Sequence, residues 1–202
     1  MKNLIIIGAQ IQGQAGFVYD ILKVMDSYHI VGFLDNNESL HNKNIYGIKV
    51  LGYANSQSIK KYSDAVFHIA VGDNIARYRL YRQLKKDGRE VVSIIHPSVI
   101  IGSDVSTGEG IFIGPNVVIG HGVQLGNASI VSTSAIIDPM TILGEGVYIG
   151  SASNLGSRCK IYDYSYIGMG TTIIPDIQMG TGSLIRAGSL IMKDILGDFR
   201  AL

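Results

Sequence analysis

Between Ile95 and Ile191 an aliphatic side chain returns at every sixth position, with no insertion and no slip. The series runs Ile95, Ile101, Thr107, Ile113, Ile119, Leu125, Val131, Ile137, Leu143, Ile149, Leu155, Ile161, Ile167, Ile173, Met179, Ile185, Ile191, and only Thr107 breaks it. Four residues after each anchor stands a small or β-branched residue, such as Val99, Val117, Ala135, Thr141, Ser153 or Cys159. Glycine directly follows the anchor in ten of the seventeen cases, as in Ile101-Gly102 and Ile167-Gly168. A helix cannot hold a six-residue period in register over that length; short strands turning at fixed corners can.

Each hexad therefore supplies one short strand with its anchor pointing inward, and three hexads make a coil of eighteen residues. Residues eighteen apart then stack at the interstrand spacing of roughly 4.8 Å. Glycine suits the corners, relaxing the limits on φ/ψ and letting coils approach. One coil cannot bury its anchors alone, so stability arises between neighbouring coils. The pattern predicts a hexapeptide-repeat parallel β-helix for the second half of the chain.

Composition narrows what such a scaffold serves. A formal net charge of +1 over 202 residues, with no basic run, gives no electrostatic case for binding nucleic acid or an anionic membrane. No apolar stretch approaches bilayer-spanning length, and Met1-Lys2-Asn3-Leu4 passes straight into a strand-like run. The expected compartment is the cytoplasm. Cys159 is the single cysteine, which excludes an internal disulfide, and its inner position reads as a buried spacer rather than a nucleophile. No spacing of His, Cys or carboxylates suggests a metal site.

Residues 1–90 follow another rhythm. Leu4-Ile5-Ile6-Ile7 predicts a buried strand ending at Gly8, residues 14–25 a helix, His29 to Leu34 a strand ending in Asp35, Val66 to Val71 another strand, and residues 74–86 a polar helix. Alternating strands and helices argue for a small parallel α/β, Rossmann-like domain. The change of period divides the chain into domains at 1–90 and 91–202. The turn Gly8-Ala9-Gln10-Ile11-Gln12-Gly13 is comparable with a dinucleotide fingerprint, but Gln10 stands where the second glycine would be. Two readings stand: a turn that meets a ligand phosphate, or a tight strand-to-helix turn. Asp35 is likewise either a carboxylate for a ribose or base edge, or a turn cap in Asp35-Asn36-Asn37.

The segments I-I-G, Gly32-Phe33-Leu34-Asp35-Asn36, Gly47 to Gly52, Ala70-Val71-Gly72-Asp73-Asn74 with Arg77, and then a hexapeptide run opened by His96-Pro97-Ser98, occur in an order that resembles the NeuD/PglD family of sugar acyltransferases. The resemblance covers the chain from end to end. It implies a left-handed β-helix that assembles as a homotrimer and takes acetyl-CoA as co-substrate. It also implies a front domain for a free or nucleotide-linked amino sugar, and a histidine that accepts the proton of the attacking amine or hydroxyl. Gly8, Gly13, Asp35 and Asn36 would contact the sugar ligand, and Gly170 and Gly188 the cofactor; no metal, nucleic acid or membrane is implied.

Chemistry of this kind needs a base titrating near working pH, which favours histidine, a donor for the thioester oxyanion and two substrates held together. The chain departs from its relatives where these needs are met. The family's N-T-G-A-x-V-E-H-D-C-x-I-G stretch corresponds to 132–144, so the histidine position is Pro139 and the following acid is Met140. The family's next histidine falls at Tyr148, and the closing G-N-P-A-K segment is replaced by the run from Gly197 to Leu202. His121, however, lies eighteen residues before Pro139, in the column Ser103, His121, Pro139, Ser157, Pro175. Asp138 would stack over Gly120, close enough to orient it. His121 is thus either the base moved by one coil or a solvent-facing histidine at a glycine corner.

The remaining histidines read as structural: His96 opens the helix, His68 lies in an apolar strand, and His29 and His41 fall at the surface or in loops. Tyr162, Tyr164 and Tyr166 pack at a subunit contact or lie exposed. The sequence supports an acetyl-CoA-dependent acetyltransferase acting on an amino sugar, a nucleotide-linked sugar or a sialic-acid-type sugar in glycan synthesis. The alternative is a family member without transfer chemistry that binds a nucleotide sugar or acts as a scaffold. A dehydrogenase is disfavoured, because the phosphate turn is irregular and no catalytic pair follows it.

Overall fold

The computed structural model describes residues 1–196. The chain divides into two compact units, Met1–Ile94 and Ile95–Leu202. In the first, β1 (Lys2–Ile7) is the central strand, and its Leu4, Ile5 and Ile6 have no exposed surface. Helix α1 (Gln14–Met25) buries Ala15, Val18, Ile21 and Leu22 along one stripe. It stops at Asp26, which turns left-handed (φ 46°) and donates its N–H to the Leu22 carbonyl at 3.1 Å. Strand β2 (Tyr28–Leu34) returns beside β1, and the pair β3 (Asn44–Ile45) and β4 (Ile48–Lys49) with helix α2 (Ser56–Lys60) leads on to β5 (Val66–Ile69).

Helix α3 (Asn74–Lys86) follows, started by Asp73, whose Oδ1 accepts the Ala76 N–H at 2.7 Å. The order of the parallel sheet is β2-β1-β5. Both helices occupy the ranges the sequence predicts. Strand β5 ends two residues earlier than predicted, because Ala70-Val71-Gly72 leaves the sheet.

The second unit is a solenoid. Among the described residues, seventeen two-residue strands run from Ile94–Ile95 to Leu190–Ile191 in three parallel sheets of six, five and six strands. Partners lie eighteen residues apart: Ile119 with Ile137, Leu125 with Leu143, Val131 with Ile149. The anchors from Ile113 to Ile185 form one continuous buried core with Val117, Val123, Ala135, Val147 and Cys159. Thr107, the lapse in the series, is exposed.

The small inner residues have a repeated way of staying satisfied. Ser129, Thr141, Ser153 and Ser165 each donate a hydroxyl to a carbonyl fifteen residues on, that of Gly144, Gly156, Gly168 and Gly180, all at 3.0 Å. The Cys159 thiol does the same to Ile174 at 3.3 Å, and burial pushes its pKa up, which keeps it a thiol.

Glycine's two expected duties at a corner fall on different positions. A Cβ at Gly120, just after an anchor, would lie 2.6 Å from the Pro139 nitrogen of the next coil, so that site needs glycine for close approach. Positive φ occurs two residues later, at every sixth residue from Asp104 to Gly188, and nine of those fifteen are not glycine. From Ala128 onward their N–H groups donate to carbonyls of the coil before, as Ala128 does to Glu109 (2.8 Å) and Met140 to His121 (2.9 Å).

Candidate functional site

The sheet order places a topological switch between β1 and β5, where ligands of open α/β sheets bind. A cavity of about 510 Å³ opens there, lined by Ile7 and Gly8 at the end of β1, Asp35 and Asn36 after β2, and Ala70 to Asp73 after β5. Gly13 and Gln14 at the start of α1 complete the wall with Ala76 and Leu80 of α3. All four residues expected to contact the sugar ligand, Gly8, Gly13, Asp35 and Asn36, therefore share one cavity.

Their local roles are more specific than the sequence reading. Gly8 has φ +102°, and a Cβ there would sit 2.5 Å from the Ala70 carbonyl oxygen, so the two strand ends meet only through glycine. Gly13 caps α1 without a side chain, and its N–H donates to the Gln10 carbonyl at 3.0 Å. Asp35 accepts the Ala9 N–H on Oδ2 and the Asn37 N–H on Oδ1, both at 2.7 Å. Its carboxylate is a brace for the Gly8 turn, and a ligand meets only its remaining lone pairs. Asn36 is similarly engaged, its Oδ1 accepting the Ala54 N–H at 3.1 Å.

Two residues that the sequence reading passed over face this cavity with more freedom. Gln14 lines it, and its Nε2 is buried with no hydrogen-bond partner among the described residues. Asp73 lines the opposite wall while capping α3. Arg77, almost fully buried, donates to the carbonyls of Val71 (3.1 Å) and Gly72 (2.8 Å) and fixes the wall between them. A G-D-N-x-x-R spacing carries that brace in the sequence, since an N-cap followed by an inward residue four later is a helix-start signature.

In the solenoid, His121 sits between Gly120 and Gly122 at an exposed corner. Its Nδ1 lies 3.1 Å from the Ser103 carbonyl, 3.0 Å from the Ser103 hydroxyl and 3.5 Å from Asp104 Oδ2. The ring leans to the preceding coil, where its hydrogen-bond and ion-pair partners are Ser103 and Asp104; Asp138, expected to orient it, is not among them. Above it, Met140 carries its sulfur over Gly122, where a Cβ would meet it at 2.5 Å. Pro139 packs its ring against Gly120.

Gly170 and Gly188 have φ +65° and +72° with open space around them. Their N–H groups already donate to Ser151 and Met169, both at 2.8 Å, so a ligand there meets clear surface rather than free donors. Tyr148 stacks on Tyr166 with ring centroids 4.8 Å apart, and burial, then the Tyr148 phenol, raises the Tyr166 pKa. Tyr162 and Tyr166 are partly exposed.

Three other histidines are engaged locally, and His29 is exposed. His96 Nδ1 accepts the Ser98 N–H (3.0 Å), His41 Nε2–H donates to the Asp35 carbonyl (2.7 Å), and His68 is buried. Among the described residues no three His, Cys, Asp or Glu side chains converge on a metal position, and no helix is long and apolar enough to cross a membrane. The closing segment from Gly197 to Leu202 lies outside the described residues.

Residues 3–84 match the model of the PglD N-terminal domain, and residues 91–179 that of the GMPPB C-terminal domain. The fold is similar to GDP-perosamine N-acetyltransferase from Caulobacter crescentus, solved as a histidine-to-alanine variant with CoA and GDP-perosamine. That match has a TM-score of 0.90 and 25% identity over 98% of this chain and 92% of that one. The front unit thus matches a PglD-type domain, and the whole chain resembles sugar acetyltransferases in fold. It is equally similar to the acetyltransferase domain of PglB from Neisseria gonorrhoeae bound to acetyl coenzyme A (TM-score 0.90, 25% identity, 98% and 94% covered). WeeI from Acinetobacter baumannii shares the fold at 20% identity, covering 98% of this chain and 94% of that one, with a TM-score of 0.67. The solenoid thus shares the left-handed β-helix fold of these acetyltransferases.

Proposed function

We propose that this chain transfers the acetyl group of acetyl-CoA to the amino group of a free or nucleotide-linked sugar used in glycan synthesis. The observation that carries the reading is similarity over 98% of the chain to two acetyltransferases solved with CoA or acetyl-CoA, one of them also holding a nucleotide amino sugar. In this reading the front cavity takes the sugar ligand, with Gly8 and Gly13 giving the backbone turn, Asp35 and Asn36 bracing it, and Gln14 donating into it. Gly170 and Gly188 offer the cofactor an unobstructed edge.

His121 is the base. The neutral amine attacks the thioester carbonyl carbon; the C–N bond forms, the C–S bond breaks, and the amine proton passes to His121 Nε2 and on to the departing CoA thiolate. Asp138 contributes local charge rather than orientation. The working form is a homotrimer, a reading favoured by the outward apolar column in which Ile100 (64% exposed) and Ile136 (40% exposed) flank Val118 on paired strands; its compartment in this reading is the cytoplasm.

Purified protein should release free thiol from acetyl-CoA with some member of a panel of amino sugars and nucleotide amino sugars. His121→Ala should lower kcat by at least about a hundredfold. Unchanged kcat in that variant removes His121 as base. A second reading, a binding or scaffold member, is favoured by one observation: proline holds the family's histidine position at Pro139. Sedimentation as a trimer and saturable nucleotide-sugar binding, with no acetyl-CoA binding at millimolar concentration, would establish it over transfer.

A further inference from the structure

Resting on the reading of His121 as the base, we infer that the corner Ser103-Asp104 is the element that positions it. Three groups surround Nδ1, and two of them, the Ser103 carbonyl at 3.1 Å and the Asp104 carboxylate at 3.5 Å, can only accept a hydrogen bond. The Ser103 hydroxyl at 3.0 Å can accept as well. A neutral imidazole so placed carries its proton on Nδ1, which leaves the lone pair on Nε2, a nitrogen with no hydrogen-bond partner among the described residues at this exposed corner.

This is the tautomer a general base needs, and it is the one that free histidine disfavours. Asp104 then meets the second requirement. When Nε2 takes the amine proton, the ring becomes a cation with both nitrogens donating, and the adjacent carboxylate steadies that charge. The backbone holds this acceptor in place: Asp104 has φ +56°, a conformation that Asp and Asn tolerate best among residues with side chains. The neighbouring Gly122 N–H donates to the Ser103 carbonyl at 2.9 Å, which ties the two coils together at that carbonyl. Asp104 is a positioning residue and makes no contact with the reacting atoms.

The chain holds five histidines, so nitrogen-15 NMR of labelled full-length protein, with His121→Gln to assign the missing signal, reads the tautomer directly. Above the pH at which the ring protonates, His121 should show a protonated Nδ1 and a bare Nε2. Asp104→Asn keeps the backbone conformation and an acceptor oxygen but removes the charge. It should keep that tautomer and lower kcat about tenfold with both KM values unchanged, less than loss of a buried triad carboxylate because Asp104 is exposed.

A wild-type signal with the proton on Nε2 overturns the inference, and so does an Asp104→Asn enzyme with undiminished kcat. Full activity in His121→Ala beside the expected tautomer would instead overturn the assignment of His121 as base, so the two failures are told apart.

Discussion

In the front unit His68 sits in β5 with no exposed surface, and its Nδ1–H donates to the Val92 carbonyl at 2.8 Å. Burial is the largest influence on the ring, outweighing that hydrogen bond, and with the Arg77 charge it lowers the pKa from 6.5 to about 4. The sign of the linkage follows. Above pH 6.5 the ring is neutral in folded and unfolded chains alike and costs nothing. Below it the unfolded chain binds the proton first, so stability is lost as pH falls from 6.5 toward 4. At pH 5 the loss is about 2 kcal/mol. Urea titrations at pH 7.5 and pH 5 should show that extra loss in the wild type and not in His68→Leu, even though the variant is less stable overall. Asp35 offers a second residue-scale case. Its two oxygens each take a backbone N–H, so Asp35→Ala leaves two donors without their acceptor and should cost about 2 kcal/mol of stability as well as ligand affinity. Asp35→Asn, which keeps one acceptor, should recover part of the stability.

At the scale of elements, the hexad separates two kinds of glycine that a count of glycines merges. At Gly114 a Cβ would lie 2.8 Å from the Thr133 nitrogen, and backbone must move to admit it. At Gly170 nothing lies within 4 Å, and only the left-handed φ of +65° resists a side chain. Gly114→Ala should therefore cost about 1–3 kcal/mol through overpacking, and Gly170→Ala about 1 kcal/mol. Thermal unfolding of the two variants checks the ranking, and equal losses would mean that the backbone at Gly114 yields to a Cβ at little cost. The sequence shows period, anchors and stacking columns, because these depend only on spacing. It does not show the lean of a corner side chain: the column through Ser103, His121 and Pro139 is visible, yet whether His121 tilts to the coil before or after depends on backbone angles at the corner. That is why Asp104 was hidden and Asp138 stood in its place. The same limit applies to Asp35: its place at a strand end and its local turn partner Asn37 are legible, while its second partner, Ala9, arises only when the β1 turn folds against it.

For the whole molecule, the two units bury different chemistry. The front unit encloses a histidine and an arginine, His68 and Arg77, while the buried polar side chains of the solenoid among the described residues are serines and threonines that do not titrate in the working range. Acid should then loosen one unit before the other. Hydrogen exchange on the full chain, corrected for intrinsic rate, tests this at pH 7.5 and pH 5. Amides of β1 and β5 should lose about thirtyfold in protection, the factor that corresponds to the His68 linkage. Amides of the strands from Ile113 to Ile185 should keep theirs, since their protection rests on coil-to-coil burial of aliphatic anchors, which pH does not alter. Parallel loss in both units would mean that the chain opens as a single cooperative block, with the solenoid drawing its stability from the front unit rather than from its own stacked coils. Loss confined to residues 1–94 would show that mild acid weakens the front unit by about 2 kcal/mol while the stacked coils keep their own stability. Urea should then unfold the front unit at a lower concentration at pH 5 than at pH 7.5, with the solenoid's midpoint unmoved.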